Sequence, residues 1–179
     1  MASFDIAQKI TAKFEGGYVN NPHDTGGETF AGISCNNWPK WAGWAIIDDY
    51  KAQHGLTNIN SLLTDPTMID AIKSFYKPNF WDVIKGDLIN DQQCANQCYD
   101  TAVNMGTGRA AEFMQHAAAV NVDRLIGNQT ISAINAMDAK IFYYDFLSLR
   151  RNYYDEIIAK DPSQAQFKNS WYSRLTNYV

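Results

Sequence analysis

Phe14-Glu15-Gly16-Gly17-Tyr18, continued by Asp24-Thr25-Gly26-Gly27-Glu28-Thr29 and Gly32-Ile33-Ser34, is the stretch around which the rest of the chain is organised. Upstream of it, Phe4, Ala7, Ile10 and Phe14 recur at helical spacing, with Ser3 or Asp5 available as a cap. Gly16-Gly17 ends that helix, because glycine accepts the left-handed conformation that follows a helix terminus. Glu15 therefore stands at a helix C-terminus, where the macrodipole disfavours a negative charge by about 0.3–1 kcal/mol. A carboxyl in that place, next to Phe14, is expected to have a raised pKa, as suits a general acid. The following residues, to Ser34, are rich in Asn, Pro, Asp, Gly and Thr. They predict loops and a small β-hairpin turning at Thr25-Gly26-Gly27.

Outward from this stretch the pattern is helical. Trp38, Trp41 and Trp44 cluster around Pro39 in a short helix or irregular aromatic packing, and His54-Gly55-Leu56 is a turn. Thr64-Asp65-Pro66 is a helix start with a cap and a proline at the first helical position. It leads into Met68, Ile69, Ala71, Ile72, Phe75 and Tyr76, with Pro78 as the expected stop and Phe80-Trp81 packing back. Helices are expected over Asp91–Asn104 and Thr107–Ala119, then around Ile131, Ile134 and Met137 after Gly127. The longest runs from Ala139 to Lys160 before Asp161-Pro162, and a last one covers about Phe167 to Tyr178. The fold class is mostly α, a helical bundle with a small β-hairpin in the N-terminal third.

Composition narrows the function classes. The chain has 179 residues, 46% hydrophobic and 19% charged, which suits an ordinary globular core. The formal net charge is −4 and no basic run exceeds Arg150-Arg151, so nucleic acid is not an expected partner. No apolar stretch is long enough to span a bilayer, and the N-terminus shows no secretory signal. Synthesis in a cytoplasm is the expectation, with action elsewhere requiring carriage by something else. Cys94 and Cys98 lie four apart on one helix face, where a disulfide is awkward; with Cys35 they read as reduced, structural thiols. His23, His54 and His116 have no ligand spacing, so neither a metal nor a cofactor is expected. No Gly-x-Ser-x-Gly elbow or phosphate-binding glycine loop is present.

Glu15, Asp24 and Thr29 together suit glycoside hydrolysis. That reaction needs one protonated carboxyl for the leaving oxygen and a carboxylate, as base or nucleophile, on the other face of the sugar. A hydroxyl can hold the water. Glu28 competes with Asp24 as the second carboxylate. Tyr18, Trp38 and Trp41 are candidates to line a sugar cleft.

The motifs Glu15-Gly16-Gly17-Tyr18, Asp24-x-Gly26-Gly27-x-Thr29 and Gly32-Ile33-Ser34 resemble the signature of glycoside hydrolase family 108. Those are N-acetylmuramidases of the lysozyme superfamily, found as phage endolysins and as export-linked bacterial muramidases. Glu15 matches the family's catalytic glutamate. The Glu…Asp…Thr order also resembles that of phage-type lysozymes, with the gap from Asp24 to Thr29 one residue shorter. Further on, Tyr99-Asp100-x-Ala102-Val103-Asn104-Met105-Gly106, Val122-Asp123-x-x-Ile126-Gly127-x-x-Thr130 and Trp171-x-x-Arg174 resemble the peptidoglycan-binding domain that accompanies this catalytic region.

The resemblance implies a lysozyme-like α+β fold, with a catalytic region over residues 1–95 and a helical peptidoglycan-binding region over 96–179. It implies cleavage of the β-1,4 bond between N-acetylmuramic acid and N-acetylglucosamine, with Glu15 as acid, Asp24 as base or stabiliser and Thr29 orienting water. Tyr18, Glu28, Trp38, Trp41 and Asn104 are then substrate contacts. A monomer acting on the cell wall, passed there by a holin if it serves a phage, completes the expectation. A lytic transglycosylase, or a wall-binding module without catalysis, are the alternatives.

Overall fold

The computed structural model describes residues 1–20 and 26–176. It is mostly α-helical with one small antiparallel sheet. The chain divides into two compact units, Ala12–Lys77, and Met1–Thr11 together with Pro78–Val179. Helix α1 (Phe4–Glu15) belongs to both, its first two turns to one unit and its last residues to the other.

The smaller unit holds the sheet. Strands β1 (Tyr18–Val19), β2 (Thr29–Phe30) and β3 (Ile33–Ser34) pair in chain order, Tyr18 opposite Phe30 and Thr29 opposite Ser34. Gly26 and Gly27 lie in the connection between β1 and β2, as the glycine pair predicts, and a second, tight hairpin turn at Ala31-Gly32 joins β2 to β3; both of its residues have positive φ, 49° and 78°. That is the twist a two-residue hairpin loop favours, here with an alanine at one of the two positions. Of the expected turn, Thr25 lies outside the described residues.

Helices α2 (Gly43–His54) and α3 (Pro66–Tyr76) complete this unit. Asp65 caps α3 by accepting from the Met68 N–H at 2.9 Å, and Pro66 follows at the first helical position. The α-helix ends at Tyr76 with Lys77 as its C-cap, immediately before Pro78 as expected. A π-helical turn, Lys77–Trp81, follows directly. The core of the unit is Phe30, Ile33, Trp44, Ile47, Met68 and Ile72, all buried.

In the larger unit, α4 (Gln92–Met105), α5 (Thr107–Ala117), α6 (Asn128–Ala136), α7 (Ala139–Lys160) and α8 (Lys168–Thr176) form the bundle. Asp91 and Asp138 cap α4 and α7. The start of α1 is fastened here: Phe4 packs against Trp81 and Tyr99 with ring centroids 5.8 Å away in each case, and the Tyr99 hydroxyl donates to Gln8.

The bundle encloses an ionic centre. Asp100 on α4 is fully buried and accepts from Arg150 of α7 at 2.7 Å and from Arg174 of α8 at 2.7 Å. Arg150 also donates to Gln97, and the Tyr154 hydroxyl donates to Asn104 at 2.6 Å. Trp171 stacks on Tyr154 at 5.0 Å. Two of the sequence motifs thus meet at one buried network, which joins three helices.

The third motif is a loop. Buried Gln115 on α5 accepts from the Asp123 and Arg124 N–H groups at 3.1 and 2.8 Å. Its amide donates to the Asp123 carboxylate at 2.7 Å and the Leu125 carbonyl at 3.1 Å. The Leu125 N–H and the Gln115 amide both donate to Asp123, in that order of effect, and lower its pKa.

Candidate active site

Glu15 is the last residue of α1, half-buried in the smaller unit, and Gly16 follows with φ 72°. Its carboxylate lies against the β2–β3 turn. A Cβ placed on Gly32 would come within 2.6 Å of Glu15 Oε2 and 2.7 Å of the Tyr76 hydroxyl oxygen, so only a bare Cα fits between them. The Tyr76 ring, buried on α3, sends its hydroxyl to the Ala31 carbonyl, donating at 2.8 Å. The acid, the turn and the phenol therefore converge on one point. The sequence places Tyr76 on a helix face without marking it as a site residue, and the only sign of the Ala31-Gly32 turn is Gly32 within the quoted motif.

Thr29 lies on β2, its hydroxyl 3.5 Å from the Gly27 carbonyl, which it can reach only weakly. Ser34 stands opposite it, so the two hydroxyls share one face of the sheet. Asp24, the expected second carboxylate, lies outside the described residues. Glu28, its competitor, is ion-paired with Lys51 of α2. Lys51 also stands over the Tyr18 ring, 5.2 Å from its centroid. Burial alone would lower the pKa of the Lys51 ammonium; the Glu28 carboxylate and Tyr18 outweigh it and hold that pKa above its usual value. The Tyr18 N–H donates to the Asn60 side chain at 2.8 Å. Tyr18, Glu28 and Lys51 thus form a second small cluster within the same unit.

The tryptophans divide. Trp41 is buried, its indole N–H donating to the Ala71 carbonyl at 3.1 Å, and its ring meets Trp44 edge-on. Trp38 is 41% exposed and meets Phe75 edge-on at 4.8 Å. With Pro39, Lys40 and Trp41 they line a surface depression of about 330 Å³. Phe75 in turn meets Tyr76, ring centroids 5.2 Å apart, so one run of contacting aromatics joins this depression to the Gly32 point. Asn104 belongs to the larger unit, where it receives the Tyr154 hydroxyl.

Residues 8–106, more than half of the chain, match the family model Glycosyl hydrolase 108. The chain belongs to glycosyl hydrolase family 108. Residues 109–176 match a second model, Predicted Peptidoglycan domain. The protein is accordingly a glycoside hydrolase, and its substrate is peptidoglycan. The structure of SagA from Brucella abortus is similar in fold, with a TM-score of 0.67 and 24% identity, covering 98% of this chain and 90% of that one. None of the curated proteins compared matches the sequence. The family 108 match includes Glu15, the Ala31-Gly32 turn, Tyr76, both ends of the Asp24 loop, and Trp38, Trp41 and Trp44.

Proposed function

We propose that this family 108 enzyme is an N-acetylmuramidase, hydrolysing the β-1,4 bond between N-acetylmuramic acid and N-acetylglucosamine, with Glu15 as general acid. The observation that carries the reading is the carboxylate of Glu15 laid against the side-chain-free Gly32. A general acid must stand within hydrogen-bond reach of the glycosidic oxygen, and a carboxyl fixed on a rigid turn meets that need better than one swinging from a loop. Asp24 serves as base for the attacking water or stabilises the oxocarbenium-like state, and Thr29 orients the water. The depression beside Trp38 suits the flat face of a sugar ring, and its continuity with Phe75 and Tyr76 supports it as part of the same cleft.

The finer biological setting belongs to the same proposal: an enzyme made in the bacterial cytoplasm, acting as a monomer on the wall, and released by a holin where it serves a phage. Its support is the resemblance to phage endolysins.

The test is digestion of purified peptidoglycan by wild type and Glu15→Gln, with products resolved by mass spectrometry. Reducing muramyl ends from wild type, and a loss of at least about a hundredfold in turnover by a folded Glu15→Gln, are expected, the scale of general acid catalysis. Anhydro-muramyl ends from wild type would instead make the enzyme a lytic transglycosylase. Substantial hydrolysis by the folded variant would remove Glu15 from the role.

A further inference from the structure

We propose that Tyr76 is a positioning residue for the acid: its hydroxyl holds the Ala31 carbonyl so that the bare face of Gly32 meets the Glu15 carboxylate. The inference rests on the reading of Glu15 as general acid and goes beyond it by naming what aims the carboxyl.

A phenol has one proton to donate, and a carbonyl can only accept, so the 2.8 Å contact spends that proton on Ala31. The bond spans 45 residues of sequence and is buried. What it holds is an unfavourable conformation. Ala31 has φ 49°, a left-handed value that its Cβ resists. The next residue, Gly32 at φ 78°, has no side chain to fill the space between Glu15 Oε2 and the Tyr76 oxygen. Turn, phenol and carboxylate therefore define one another's places. In Tyr76→Phe the ring still fills its buried site, but nothing in it holds the Ala31 carbonyl. The turn is then free to relax, and the surface against which Glu15 is laid moves with it. Displacement of a reacting group by about 1 Å can cost a hundredfold in rate without altering how the rest of the substrate is held. The loss should therefore appear in kcat and leave KM largely alone.

The experiment measures kcat, KM and thermal midpoint for wild type, Tyr76→Phe, Gly32→Ala, Glu15→Gln and Ile47→Val, using soluble glycan strands prepared from purified peptidoglycan. Ile47 is fully buried in the same unit, on α2, and shortening it lowers stability without touching the turn. Tyr76→Phe is expected to lower kcat about tenfold, the rate equivalent of one lost hydrogen bond, with KM within about twofold of wild type. Gly32→Ala should lower kcat at least as far, and Ile47→Val should leave it unchanged. A wild-type kcat in Tyr76→Phe overturns the proposal. So does a fall in kcat that Ile47→Val shares at an equal loss of thermal midpoint, because the effect would then be general loosening. A folded Gly32→Ala with full turnover overturns it as well, since the methyl would have been accommodated. Glu15→Gln reports separately on the reading beneath: turnover retained there removes the acid itself, whereas turnover lost there but kept in Tyr76→Phe removes only the positioning role.

Discussion

Replacing Asp100 by asparagine keeps the shape of the side chain and removes the charge on which three helices of the larger unit converge. Asp100 is fully buried; its Oδ2 accepts from Arg150 at 2.7 Å and from Arg174 Nε at 3.2 Å, and its Oδ1 from Arg174 Nη2 at 2.7 Å. The asparagine would turn an N–H₂ group towards a guanidinium and leave two buried cations without their carboxylate. Breaking one buried pair costs about 3–5 kcal/mol, and two arginines lose the same partner here, so about 5 kcal/mol is expected. For a chain of this size each kcal/mol moves the thermal midpoint by roughly 2–4 °C, which gives a fall of roughly 10–20 °C. Urea unfolding followed by far-UV circular dichroism, together with thermal melts, measures both quantities. A loss below about 1 kcal/mol would refute the reasoning, because that is the scale of a solvated surface pair.

Burial pushes the thiol pKa values of Cys94 and Cys98 well above the ordinary range, whereas Cys35 is only partly covered. Reaction with a thiol-specific disulfide reagent at pH 8 should therefore titrate one thiol in the native protein and three in denaturant; three fast-reacting native thiols would contradict the packing of α4. The Lys51–Glu28 pair makes a pH-dependent contribution of definite sign. Because the folded pKa of Lys51 is raised, its stabilisation is fully present below the unfolded value of 10.5 and is lost as pH rises through the folded one. Thermal midpoints of wild type should consequently fall more steeply above pH 10.5 than those of Glu28→Gln, and parallel curves would show that the pair contributes nothing.

The helices were the more legible part of the sequence, for local reasons. Asp138 before Ala139 and Asp161-Pro162 after Lys160 mark both ends of α7, and Asp65-Pro66 marks the start of α3. Pro78 marks the end of α3 for a local reason too, since proline has no N–H to extend the α-helical ladder and its ring crowds the preceding turn. The β2–β3 turn is the contrasting case. Glycines at 26 and 27 are a strong local signal and lie in the β1–β2 connection, whereas the β2–β3 turn uses Ala31, whose left-handed backbone is held by a hydroxyl 45 residues away. Long-range partners of this kind are invisible to a short window. The same limit hid Lys51 as the partner of Glu28 and Tyr76 as the neighbour of Glu15. Glu15 stands out in the sequence because a carboxylate where a helix favours a cation is a local anomaly. The motif residues Asp100, Trp171 and Arg174 proved to share one buried network, a grouping that only the tertiary fold brings together.

Gln115 accepts twice and donates twice to the loop over Asp123–Leu125, and one donation ends on the Asp123 carboxylate. No other side chain of that length does both jobs. Deamidation would exchange a single nitrogen for oxygen and set two carboxylates face to face where donor had met acceptor. The durability of this loop is therefore a matter of chemical ageing as well as of folding, and the covering that keeps water from the amide also sets its shelf life.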